Sequence, residues 1–127
     1  MKYLVMIHSN ARFQERWEGL SDAERADFGH AHLRLRDELA ASGELVAAEA
    51  LADPGLARRV TRTDGRTAPV APGGDGPFAE TKEHLAGFLL VDVVGEERAI
   101  EIAGRVPDAV WGLVEVRPVL DMSQWDG

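Results

Sequence analysis

The chain has 127 residues, 45% hydrophobic and 28% charged, with a formal net charge of −8 and no cysteine. One domain with one core suits that length, the negative charge opposes nucleic acid as a partner, and no run of about 20 apolar residues is present to span a membrane. The missing cysteines exclude disulfides and thiolate metal sites, and MKYLVMIH begins an apolar run with no signal-type leader before it, so a cytoplasmic protein without metal or cofactor is expected.

Residues 2–8 put Tyr3, Val5 and Ile7 on one face of a strand and Leu4, Met6 and His8 on the other. A strand apolar on both faces lies inside a sheet, and in so short a chain one sheet face is covered by helices and the other by a second subunit. Residues 9–20 read as a connection of mixed polarity. Ser21 with Glu24 forms a capping-box pattern that opens a helix over 22–42, with Phe28, Ala31, Leu35 and Leu39 as its core stripe and Gly43 at its end. GELVAAEAL (43–51) alternates and reads as a strand, and Arg58–Ala71 reads as a hairpin around Asp64-Gly65, which suits the positive φ angles of a tight turn.

The stretch 68–77 holds three of the six prolines and three glycines and reads as a loop, after which FAETKE (78–83) suggests a short helical turn. LAGFLLVDVV (85–94) is a continuous apolar run with the character of a buried strand. Ala99, Ile102, Ala103 and Val106 mark a second amphipathic helix stopped by Pro107, and 112–118 reads as the last strand. The order predicts an α+β fold of the ferredoxin-like, split-βαβ kind, an antiparallel sheet with two helices on one face.

The segment DGPFAETKE (75–83) resembles the signature of the DGPF-motif subgroup of the YCII-related family, and GELVAAEAL (43–51), AGFLLVDV (86–93) and VEVRPV (114–119) are similar to the family's other recurring stretches in the same order. The resemblance spans almost the whole chain as one YCII-related domain. It implies a ferredoxin-like homodimer built as a dimeric α+β barrel. Members of the subgroup mostly lack an assigned activity, and some more distant YCII-like proteins are lyase-type enzymes thought to use a His–Asp pair, with the His in a helix comparable to that of His32. Genes of the subgroup often lie near extracytoplasmic-function sigma factors, which implies a regulatory link.

Several side chains are candidates for chemistry. Asp75, Gly76 and Pro77 are explained by turn geometry ahead of a buried Phe78, or else they aim Glu80, Lys82 and Glu83 at a cleft where an ammonium among carboxylates would hold a small-molecule ligand. His84 adds a further titratable group there. His32 falls at the edge of the helix stripe, as a satisfied core histidine or as a general base; Asp37 and Glu49 are the available acidic partners. The alternation of Leu45, Ala47 and Leu51 points Glu49 inward, where Arg117 or Lys82 would balance it, in a structural ion pair or in a site.

His30 and His32 lie about 200° apart on a helix and cannot chelate one metal together, and the glycines at 73, 74 and 76 match no phosphate-binding spacing. Two functions follow. The first is a dimeric small-molecule binder or lyase/hydrolase-type enzyme with His32 as base, Lys82 stabilising negative charge, Glu80 beside them, and Asp75, Phe78, Glu49, Glu83 and Arg117 lining the ligand. The alternative is a non-catalytic regulatory or protein-interaction module linked to sigma-factor regulation.

Overall fold

A computed structural model of the chain describes residues 1–70 and 82–125. Its elements run β1 (Lys2–Ser9), α1 (Ala11–Glu18), α2 (Asp22–Ser42), β2 (Leu45–Ala50), β3 (Arg59–Thr63), β4 (Arg66–Val70), β5 (His84–Asp92), α3 (Glu96–Arg105) and β6 (Val114–Pro118). Four strands make an antiparallel sheet in the order β2-β5-β1-β6, and β3 with β4 forms a separate two-stranded ribbon. Set the ribbon aside and the remaining βαββαβ order is the ferredoxin-like sandwich. The ribbon turns at Asp64 (φ 53°) and Gly65 (φ 74°), the two positive φ angles that the dipeptide was expected to supply.

The core lies between one sheet face and the helices. Tyr3, Val5 and Ile7 of β1 and Leu89 and Val91 of β5 are buried with Leu35 and Leu39 of α2 and with Ala99, Ile102 and Ala103 of α3. The other sheet face carries Leu4, Met6, Phe88 and Leu90, half-buried and outside that core. Its flanks are polar, with His8 Nε2 2.9 Å from Glu115 Oε1.

Local chemistry sets the ends of α2. Ser21 N–H donates to Glu24 Oε1 at 2.9 Å, Glu24 N–H donates to Ser21 Oγ at 3.1 Å, and Gly43 takes the left-handed C-cap at φ 79°.

Two expectations change. Residues 9–20 are not merely a connection, because Asn10 Oδ1 accepts from Phe13 N–H at 2.8 Å and caps α1. That helix lays Phe13 and Trp17 toward Phe28 of α2, with ring centroids 5.9 and 5.4 Å away. Glu49 does not point into the core. A bulge between Leu45 and Ala47 adds a residue to β2, so Ala48 takes the buried position opposite Leu89 and Glu49 is exposed opposite Phe88. One extra residue reverses every later side chain of a strand.

Candidate functional site

His32 stands on the third turn of α2, half-buried, and its partner is neither Asp37 nor Glu49. It is Asp108, 76 residues further on, whose Oδ1 lies 2.6 Å from His32 Nε2. Asp108 sits in a 3-10 turn over Pro107–Trp111, between the buried Val106 and Leu113. Leu113 N–H donates to the Asp108 carbonyl at 3.4 Å, and Ala109 N–H donates to the Val106 carbonyl at 2.9 Å. The turn is thus fixed by its own backbone and by two core anchors, and it delivers a carboxylate that is 7% exposed against an imidazole that is 29% exposed.

An ionised carboxylate only accepts, so Nε2 carries the proton that it donates to Asp108, and in the neutral ring Nδ1 holds the basic lone pair. Phe28, one turn earlier on α2, packs its ring 5.0 Å from the imidazole. Between them, Phe28 and Asp108 hold the ring's position and tautomer.

The pair opens on a cleft of about 430 Å³ between α2 and the β2 edge of the sheet, a size that accommodates a small organic molecule. Its walls are mostly apolar, with Ile7, Leu35 and Leu89 among them. Gly29 and Gly87 line it in different settings. A Cβ on Gly29 would enter empty space, whereas a Cβ on Gly87 would stand 2.9 Å from the Glu49 carbonyl oxygen. Arg36, one helical turn beyond His32, lines the same cleft, and its guanidinium makes no ion pair with any described residue.

A second chamber of about 310 Å³ shares Asp108 and Ala86 with the wall of the first. Its wall is aromatic, built from Phe13, Trp17 and Phe28, and Ser9 and His84 border it.

The other predicted site residues do not share one place. Glu49 borders the cleft from the edge strand, with its side chain exposed. Lys82 is exposed and does not line the cleft, and Glu83 borders a groove that shares His84, Leu51 and Asp53 with the second chamber. Arg117 lies opposite Leu4 on the sheet face away from the helices. Asp75, Phe78 and Glu80 lie outside the described residues.

Asp108 and Arg36 were not foreseen. Arg36 had a signal in the sequence, since it follows His32 by four positions and therefore shares its side of the helix. Among the described residues no group of three or more histidines and carboxylates is placed to hold a metal ion, and no helix is long and apolar enough to cross a membrane.

Comparison with known proteins gives two findings. The family model described as YCII-related domain matches residues 1–123. An uncharacterised protein of Rhizobium meliloti (strain 1021) is 47% identical over 47 residues, an alignment that covers 35% of this chain and 38% of that relative.

Proposed function

We propose, from the premise that this chain belongs to the YCII-related domain family, that it is a homodimeric lyase-type enzyme that removes a proton from a small organic molecule in the α2–sheet cleft. The observation that carries this reading is the 2.6 Å contact between His32 and the buried Asp108 at the wall of a cavity of about 430 Å³. His32 is the base. Its Nδ1 lone pair takes the proton from carbon, the C–H electron pair becomes a new double bond, and a leaving group on the neighbouring carbon departs with its own bonding pair. Asp108 is a positioning residue, holding the tautomer and facing the imidazolium as it forms.

Dimerisation is supported by the sheet face that carries Leu4, Met6, Phe88 and Leu90. A second copy laid on that face would bury those side chains and complete an α+β barrel, leaving each cleft on the helix side. Lys82, Glu80, Asp75 and Phe78 remain proposed contributors from the DGPFAETKE segment, and Arg117 is better suited to the dimer face than to the cleft.

Proton transfer is tested without knowing the product. A panel of small carbon acids is incubated in D₂O with wild type, His32→Gln and Asp108→Asn, and deuterium incorporation is followed by proton NMR. Exchange by wild type that falls roughly 100-fold or more in His32→Gln supports the reading, since general-base catalysis contributes about 10²–10⁴-fold. Asp108→Asn should lower the rate and alter its pH profile while the fold persists. Exchange that survives His32→Gln overturns the assignment of the base, and absence of exchange across the panel turns the reading to the non-catalytic interaction module.

A further inference from the structure

Phe28, His32 and Arg36 are spaced four residues apart on α2 and therefore lie on one side of the helix in successive turns, about 12 Å from first to last by helical rise. Each marks a different chemistry. Phe28 belongs to the aromatic wall of the second chamber, His32 faces Asp108, which borders both chambers, and Arg36 lines the first chamber with no ion-pair partner among the described residues.

From this order we infer that the site takes an elongated arylalkyl carboxylate, with its carboxylate on Arg36, its aromatic ring in the second chamber, and the carbon between them beside His32. The inference rests on the proposed reading of the dyad only for what happens to that middle carbon; the two end sites bind whether or not a proton is moved.

The aromatic chamber is suited to a planar ring. Phe13 and Trp17 stack with centroids 6.4 Å apart, and Trp17 meets Phe28 edge-on at 5.4 Å, so their side chains form a continuous half-buried wall around a volume of about 310 Å³. Edge-to-face contacts with a bound ring add to the burial of its area, which favours an aryl over an alkyl group of equal length. Arg36 is suited to the other end because its planar fork pairs with both oxygens of a carboxylate, and a charge-assisted bond of this kind is about twice as strong as a neutral one. The apolar cleft wall between the two ends accommodates a short chain.

Binding of simple carboxylic acids decides the matter. Phenylacetate, phenylpropionate and phenylbutyrate are titrated against acetate, propionate, butyrate and the matching aryl alcohols, and read by tryptophan fluorescence and thermal shift in wild type, Trp17→Phe, Phe13→Leu and Arg36→Leu. The expected result is a preference for aryl over alkyl acids with an optimum in chain length. It should be accompanied by a roughly tenfold loss of acid binding, but not of alcohol binding, in Arg36→Leu. Trp17→Phe should abolish the fluorescence response while keeping the affinity, and Phe13→Leu should reduce the aryl preference.

Equal affinities for aryl and alkyl acids, or acid binding untouched by Arg36→Leu, would overturn the inference. The same acids are then run in the deuterium exchange assay. Tight binding of aryl acids without exchange leaves this inference standing and counts against proton transfer, whereas exchange on short alkyl acids without any aryl preference does the reverse.

Discussion

Helix α2 is tied to the rest of the protein through paired carboxylates at two levels, and the two differ in what surrounds them. Where α2 gives way to β2, Glu44 accepts from Arg98 at 2.9 and 2.8 Å and from Ser42 Oγ at 2.8 Å, and Arg98 also donates to Glu101 at 2.6 Å. Arg105 pairs with Glu38 nearby. These hydrogen bonds, chiefly from Arg98 and then Ser42, hold the Glu44 carboxyl down to about 2, and the guanidinium is raised by the same contact. Every charged group there has a protein partner, and the cluster fastens α2 to α3.

At mid-helix the pairing is sparser. His32 and Asp108 meet at one contact, the carboxylate is buried, and the imidazole opens on a cavity. Saturation of hydrogen bonds separates a fastening from a site more sharply than the presence of charge does.

The largest expected effect that can break this contrast is kinetic. His32→Gln keeps a donor for Asp108 and so preserves the fold while lowering carbon-acid exchange roughly 100-fold or more. Arg98→Met should lower Tm and leave exchange unchanged. If Arg98→Met costs as much activity as His32→Gln, the two ends of α2 are one functional unit and the contrast fails.

The next effect is structural. Gly87→Ala places a Cβ 2.9 Å from the Glu49 carbonyl, and because both groups are backbone or attached to it, one strand must shift. A loss of about 1–3 kcal/mol in urea unfolding is expected, the range for overpacking. Stability unchanged by Gly87→Ala would show that the edge strand yields freely at the cleft.

How much of this was legible in the sequence follows the range of the interactions. His32 at the stripe's edge came from helical periodicity, and the cap residues Ser21, Glu24 and Gly43 came from local chemistry; all act within a few residues. Asp108 was hidden because Pro107-Asp108 reads as a helix stop, and nothing in VPDAVWG announces a histidine 76 residues earlier. Only the sandwich brings them together. Glu49 was misplaced by a bulge, which alternation cannot register. Helix α1 was missed because eight residues with Phe13 and Trp17 as the large apolar pair are too few to be stable alone, and it exists by packing those rings on Phe28.

A smaller effect sharpens the contrast at the cleft. Gly29 sits inside α2 where a Cβ meets nothing. Gly29→Ala should therefore stabilise the helix by about 0.5–1 kcal/mol while narrowing the cleft. Opposite signs in chemical unfolding and in ligand binding would mark that glycine as kept for access; a gain in both would show that the space beside it is not used.

The smallest effect tests the fastening through pH. Glu44 has a folded-state carboxyl at about 2 against an ordinary value of 4.5, so the folded form binds its proton less readily than the unfolded form. A lowered folded value means that the contribution is fully present above 4.5 and is lost as pH falls from there toward 2. Wild-type Tm should decline more steeply over that window than the Tm of Glu44→Gln, and the two curves should run parallel above it. High salt should reduce the difference, because the pair is only partly shielded from solvent. Parallel curves for wild type and Glu44→Gln below 4.5 would mean that Arg98 holds Glu44 no more tightly in the folded chain than water does in the unfolded one, and the fastening would then rest on the Glu38–Arg105 pair and on the apolar contacts of Leu35 and Leu39.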